Sequence, residues 1–179
     1  MKKILALTAF ALLFAASSAL AQLGATTGTT TMSVAVAAEG SLTVNTTTTT
    51  LTESGANFSP YTGTTSLTYY IRTTPTTGGG NIQLEVTTDF APTGGPSVGT
   101  PPTGTDALKY TCTVSSPGTA CTGSQTSSKT AQTPLGTFGA DAHSTFAGNS
   151  ASVAWTLTND PLYKVGTYTA TVTFTISAT

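Results

Sequence analysis

Apolar and hydroxyl-bearing side chains alternate along many short stretches of this chain, most regularly from Thr167 to Ser177. Successive side chains of a β-strand point to opposite faces of a sheet. One face of this stretch would therefore carry Tyr168, Ala170, Val172, Phe174 and Ile176. The other face would carry five threonines and Ser177. Such an alternation is typical of a half-buried strand in a sheet with one solvated face.

Similar alternation predicts strands elsewhere in the chain. The candidate stretches are residues 30–38, 41–46, 65–72, 81–87, 108–114 and 153–157. Residues 90–105 are rich in proline and glycine and are predicted to form a surface loop. About seven or eight short strands, without helical periodicity after residue 21, predict an all-β protein built as an antiparallel two-sheet sandwich. Trp155 is expected in its core, because it alternates with Val153 and Leu157.

The first residues have the composition of an export signal. Two lysines precede an apolar run, and Ala19-Leu20-Ala21 forms a small-residue cleavage site. We expect residues 1–21 to be a signal peptide, residues 22–31 a flexible N-terminal extension, and residues 32–179 a single β-sandwich domain. No later apolar run approaches the roughly 20 residues that cross a bilayer. The product is therefore expected to be secreted, to the periplasm or surface of a bacterium, without an integral membrane segment.

Charge is sparse throughout the chain. Six basic and seven acidic side chains are present among 179 residues, for a formal net charge of −1. Without a basic patch, binding to nucleic acid has no electrostatic basis. A neutral sheet surface coated with threonine is also poorly defended against edge-to-edge association. This property is a hazard for a monomer and is useful for the subunit of a polymer.

Two cysteines are expected to form one disulfide, as is usual in an exported protein. Cys112 and Cys121 flank a segment whose centre, Ser116-Pro117-Gly118, predicts a turn. Folded as a hairpin, this segment would place the two cysteines opposite each other on adjacent strands.

Catalytic and metal-binding patterns are not found in the sequence. His143 is the single histidine, and the carboxylates are scattered. We therefore expect no enzyme activity, no cofactor and no metal. Tyr70 and Arg72 would both project from the solvated face of one strand and form a small platform on which a sugar could stack. Adjacent outward side chains on any strand have the same arrangement, so an ordinary surface role is the alternative.

The residues Val165-Gly166-Thr167-Tyr168-Thr169-Ala170 resemble the Gly-x-Tyr start of the penultimate strand in immunoglobulin-like domains. The closing pattern Gly-Thr-Tyr-x-x-x-Val-x-Phe-x-Ile, with the threonine-rich segment before it, is similar to chaperone-usher pilins and spore-coat protein U domains. This resemblance implies an immunoglobulin-like sandwich of about seven strands that lacks its final strand. It also implies assembly by β-strand addition to identical or related subunits, with a periplasmic chaperone as a further partner.

The resemblance assigns roles to two sets of residues. The acceptor strand would present Tyr168, Ala170, Val172, Phe174 and Ile176. The donor would be residues 22–38, inserting Met32, Val34 and Val36 into a neighbouring subunit. The same segment is equally well interpreted as the first strand of its own domain.

Two functions are consistent with these patterns. The first is an exported, non-enzymatic structural subunit of a surface filament or coat. The alternative is a monomeric carbohydrate-binding or adhesion module, with Tyr61, Tyr70 or Trp155 at the ligand.

Overall fold

The computed structural model describes residues 28–98 and 108–179, and within these ranges it contains ten β-strands and no helix. The strands are β1 (Glu39–Val44), β2 (Thr52–Glu53), β3 (Tyr61–Arg72), β4 (Gly80–Ala91), β5 (Lys109–Val114), β6 (Thr119–Ala120), β7 (Gln125–Thr126), β8 (Thr133–Phe138), β9 (Asn149–Leu157) and β10 (Thr169–Ala178). Seven of them have six or more residues. The predicted all-β sandwich is confirmed.

The strands form two antiparallel sheets. The first has the order β1-β3-β9-β5-β7, with β2 also paired to β3, and the second has the order β10-β4-β8-β6. The strand order matches that of immunoglobulin domains. In their lettering, the strands β1, β3, β9 and β5 correspond to the A-B-E-D sheet, and the neighbours β4 and β10 correspond to strands C and F. In immunoglobulin domains strand G lies beside F. Here β10 occupies the end of its sheet.

Alternating apolar side chains from both sheets form the core. Ile82, Leu84 and Val86 of β4 are completely buried, and on the facing sheet Leu67, Tyr69 and Ile71 of β3 are almost so. Trp155 is also buried, as expected, and its indole N–H donates to the Thr65 hydroxyl at 2.8 Å. The hydrogen bond satisfies the one polar atom that the tryptophan brings into the interior.

The strand predicted over residues 30–38 is wrong. Residues 28–38 have no regular secondary structure, and the first strand begins at Glu39. Side-chain alternation indicates which residues share a face of an extended segment, but a strand also needs a hydrogen-bonded neighbour. The chain divides into one unit that ends at Ala35 and a second unit, Val36–Thr179, that contains every strand described above.

Other predictions fall on parts of the chain that the structure does not describe. The signal peptide, residues 1–21, and the beginning of the extension, residues 22–27, lie outside the described residues, as do residues 99–105 of the predicted proline- and glycine-rich loop.

The disulfide is confirmed, but the hairpin around it is wrong. Cys112 and Cys121 are bonded, with their Cα atoms 5.5 Å apart. However, β5 pairs with β9 and β7 in the first sheet, whereas β6 pairs with β8 in the second. The chain crosses from one sheet to the other between the cysteines. The disulfide therefore links the two layers of the sandwich.

Candidate functional site

The acceptor strand predicted from the sequence lies at an edge of the second sheet. β10 pairs with β4 in antiparallel register, with Val172 opposite Val86, Phe174 opposite Leu84 and Ile176 opposite Ile82. The β4 residues are fully buried, but their partners on β10 remain partly exposed. Because the two rows lie side by side on the same inner face, burial decreases toward the flank of β10 that carries no strand in the described part of the chain.

The opposite sheet ends beside this flank. β1 is the terminal strand of the first sheet and lies next to β10. The two strands approach closely at Gly40, where a Cβ atom would lie 3.3 Å from Cγ1 of Ile176. Further along β1, Leu42 and Val44 are again only partly buried. We call the flanks of β1 and β10, with the partly buried apolar side chains between them, the open edge.

The other lateral edge of the sandwich is built differently. It ends in the two-residue strands β6 and β7. The Cys112–Cys121 disulfide joins the two sheets on the same side. Short edge strands are one of the means by which proteins limit edge-to-edge association. β10 has no such protection, because its ten residues include no charge and no proline.

The predicted donor side chains are highly exposed. Met32 is 91% exposed, Val34 86% and Val36 64%, in a segment without regular secondary structure. Exposure of three large apolar side chains at alternate positions is costly for a protein in water unless a partner covers them.

Arg72 fixes the residues that lead into β1. Its Nε–H donates to the carbonyl oxygen of Ala37 at 2.7 Å, and its Nη2 lies 3.1 Å from Oε2 of Glu39. One guanidinium thus holds a backbone carbonyl and a carboxylate that are two residues apart. This arrangement sets the direction in which the chain enters β1.

Tyr168, the first residue predicted for the acceptor row, lies immediately before β10 rather than within it. Its hydroxyl donates to the carbonyl oxygen of Lys164 at 2.6 Å. The ring packs against Gly95, where a Cβ atom would approach the ring to 2.4 Å. This is the hydrogen bond of the tyrosine corner that the Gly-x-Tyr pattern predicts. Tyr168 therefore positions the start of β10 and the loop that precedes it.

The candidate stacking residues Tyr70 and Arg72 lie on the outer face of the first sheet, as predicted, and line a surface depression of about 520 Å³. Glu39 and Ser41 of β1 lie on one side of it, and His143 of the β8–β9 loop lies on the other. Sequence reasoning did not place His143 here, because 71 residues separate it from Arg72 in the chain. Of the other two candidate aromatics, Trp155 is buried and unavailable to a ligand, and Tyr61 is partly buried and packs against the core.

An ion-pair cluster around Asp89 was also missed. Its carboxylate accepts hydrogen bonds from the backbone N–H groups of Phe90 and Val98, at 2.8 and 2.7 Å, and from the Ser97 hydroxyl at 2.8 Å. The ammonium group of Lys129 lies 3.0 Å away. Burial alone would raise the pKa of Asp89, but the hydrogen bonds outweigh it and the pKa falls below its ordinary value. The cluster secures the beginning of the loop after β4.

Tyr69 and Tyr110 are titratable groups of the core. Burial raises the pKa of each hydroxyl, and hydrogen bonds oppose this rise in part. The Tyr69 hydroxyl donates to the carbonyl oxygen of Ser115, and the Tyr110 hydroxyl donates to Thr133. Both hydroxyls remain protonated at neutral pH and serve as structural donors.

In residues 28–98 and 108–179 no three His, Cys, Asp or Glu side chains are grouped so that they could hold a metal ion. The same ranges contain no helix of the length and apolar character that crossing a membrane requires.

No protein-family model, curated protein or solved structure matches this chain. Inferences about its function therefore depend on its own residues and geometry.

Proposed function

We propose that this protein is an exported, non-enzymatic structural subunit of a bacterial surface filament or coat, and that it assembles by β-strand addition. One observation carries the proposal. The inward row of β10 is only partly buried, whereas the row beside it on β4 is completely buried. A strand added along β10 would cover that row and pair with its free backbone groups.

The N-terminal segment has the chemistry that such a strand needs. Residues 28–38 contain neither charge nor proline, and Met32, Val34 and Val36 recur at the two-residue spacing of a strand face. Fully extended, residues 28–38 would span about 36 Å at roughly 3.3 Å per residue. The ten residues of β10 span about 33 Å on the same basis. Because Arg72 of its own subunit holds the Ala37 carbonyl, residues 28–36 would insert, and at about 30 Å they would cover most of the acceptor strand.

Export is part of the proposal. Disulfides persist mainly in oxidising compartments outside the cytoplasm, and Cys112–Cys121 would be stable there. The signal-like composition of residues 1–21 favours the same location. A periplasmic chaperone that covers the open edge before assembly is a further proposed partner, since an unpaired edge with apolar side chains aggregates readily.

Assembly can be tested with two forms of the protein. The full chain, after export, should form filaments visible by electron microscopy and oligomers that resist unheated detergent. A form that lacks residues 28–38 should remain monomeric, because it has an acceptor but no donor. Adding a synthetic peptide of residues 28–38 to that form should shift the NMR signals of β10 amides and raise the melting temperature. Strictly monomeric behaviour of the full chain at high concentration would contradict the proposal.

A further inference from the structure

The depression beside Tyr70 suggests a function that is separate from assembly. It lies where β1 begins and β3 ends, and its volume of about 520 Å³ is within the range usual for small-molecule sites. The lining includes an aromatic ring, a guanidinium, a carboxylate, an imidazole and hydroxyl groups.

The wall formed by the β8–β9 loop is fixed to β3. Arg72 and His143 form an isolated antiparallel bridge. The Ile71 N–H donates to the Ser144 hydroxyl at 2.8 Å, and the Ser144 N–H donates to the Ile71 carbonyl at 2.9 Å. Because backbone and side-chain hydrogen bonds hold this wall, little ordering would be needed when a ligand binds.

Tyr70 supplies a supported aromatic surface. It is 42% exposed on the outer face of β3, while its neighbours in sequence, Tyr69 and Ile71, are buried. Gly148 lies against its ring: φ there is +82°, and a Cβ atom would lie 2.9 Å from Cζ of Tyr70. Both the conformation and the close approach require glycine. The ring is thereby braced on one side and exposed on another.

The two charged side chains that line the depression, Arg72 and Glu39, are paired with each other at 3.1 Å. Nε2 of His143 lies 3.7 Å from Oδ1 of Asp141. Only two of the five guanidinium N–H groups of Arg72 are used in its bonds to Ala37 and Glu39. Hydrogen-bond donors and acceptors are therefore available in a lining that has no excess of positive or negative charge. Such a lining favours a neutral, polyhydroxylated ligand over an anion.

We propose that this depression binds a neutral pyranose of a glycan, with the C–H face of the sugar stacked on Tyr70. The polarised C–H groups of a pyranose complement the negative face of an aromatic ring. Its hydroxyls would bond to Arg72, Glu39 and His143. Beyond the depression, the outer face of the first sheet continues as opposed hydroxyl residues, with Thr43 opposite Thr68 and Thr68 opposite Ser150. A longer glycan would extend over these hydroxyls.

The test uses protein produced from the full chain and five probes. These are the methyl glycosides of glucose, galactose, mannose and N-acetylglucosamine, and methyl glucuronide as an anionic comparison. Binding is measured by saturation-transfer NMR on the full chain and by amide shifts on its Val34→Asp variant, whose substitution lies outside the lining of the depression and should keep the protein monomeric. We expect at least one neutral glycoside to shift amides at Ser41, Tyr70 and His143. Absence of such shifts with all four neutral probes, or shifts with the glucuronide alone, would overturn the inference.

Variants separate stacking from general surface effects. Tyr70→Ala should weaken binding about tenfold or more, whereas Tyr70→Phe should stay within about twofold of the parent, since the ring face is retained. Phe58→Ala is the matched control, because Phe58 is another exposed aromatic and precedes the opposite end of β3. It should leave affinity unchanged.

A blocking variant covers the case in which Tyr70→Ala disturbs the fold. Ser41 is exposed and lies opposite Tyr70 in the β1–β3 register, so Ser41→Trp should fill the depression without touching the core. It should abolish binding while the amide spectrum of the core stays the same. Unchanged affinity in either Ser41→Trp or Tyr70→Ala would refute the site. Because binding requires only the folded domain, this result is independent of whether the subunits assemble.

Discussion

A single charge in the proposed donor row should prevent assembly without affecting the fold of the subunit. The substitution is Val34→Asp, in the middle of the row formed by Met32, Val34 and Val36. Val34 is 86% exposed, so the change should alter the stability of the isolated domain by no more than about 0.5 kcal/mol. Ser33→Asp is the matched control, since it places the same charge one residue away on the other face of an extended segment.

The expected penalty follows from what the inserted side chain would contact. In an assembled pair, position 34 would lie among partly buried apolar residues such as Val172 and Phe174. Losing the burial of one valine costs about 1.5–3 kcal/mol. An unpaired carboxylate in the same place costs several kcal/mol more. A total of at least about 5 kcal/mol weakens association more than a thousandfold, at roughly 1.4 kcal/mol per factor of ten.

Light scattering after size exclusion, unheated detergent gels and electron microscopy measure this effect together. Val34→Asp should be monomeric at concentrations at which the parent and Ser33→Asp form oligomers. Circular dichroism should give all three the same spectrum. If Val34→Asp polymerises like the parent, or if Ser33→Asp is blocked to the same extent, the inserted row is not the one we propose.

Further predictions concern the core, the loop anchor and the disulfide, and each is measured by urea unfolding of a monomeric form. Leu84→Ala should cost about 2–5 kcal/mol, as for a fully buried leucine. Phe174→Ala should lower monomer stability by less than the roughly 3–5 kcal/mol expected for a buried phenylalanine, but it should abolish detergent resistance of the assembly. A full loss of monomer stability with detergent resistance retained would contradict the open edge. Asp89→Asn should lower the free energy of unfolding at neutral pH, and the difference should shrink as the pH falls below about 4. A carboxyl whose pKa is depressed by folding stabilises the fold above its unfolded pKa and loses that contribution on protonation. A pH-independent difference would show that the charge is not responsible. Replacing Cys112 and Cys121 by serine should cost about 2.5–3 kcal/mol, as expected for so short a loop; no loss would mean that the unfolded chain is not restrained by the bond.

Local periodicity was sufficient to predict most strands and the fold class. The alternation from Thr167 to Ser177 corresponds closely to β10, Thr169–Ala178, and the spacing of Trp155 with its neighbours correctly placed it in the core. These predictions succeed because side-chain direction in a strand is set by the backbone of that strand alone. The tyrosine corner at Tyr168 could also be predicted from the local sequence, since its hydrogen bond spans only four residues.

Local alternation could not predict which strands pair with each other. Residues 30–38 alternate as regularly as β1 does, but strand formation depends on a neighbour that the local pattern does not specify. The spacing of Cys112 and Cys121 permitted a hairpin and equally permitted a crossing between sheets. The depression beside Tyr70 needs His143, which tertiary structure brings next to Arg72.

The contrast between the two sides of the sandwich has a consequence for growth. One side is linked by the disulfide and ends in two-residue strands, while the other ends in the ten-residue strand β10. In the proposed assembly, the N-terminal segment of one subunit pairs with β10 of the next. Such an interface is heterologous, because it joins unlike surfaces head to tail. A filament of these subunits would therefore have two different ends. One end would present an uncovered β10, and the other would present an N-terminal segment without an acceptor. Elongation and termination would then take place at chemically different ends.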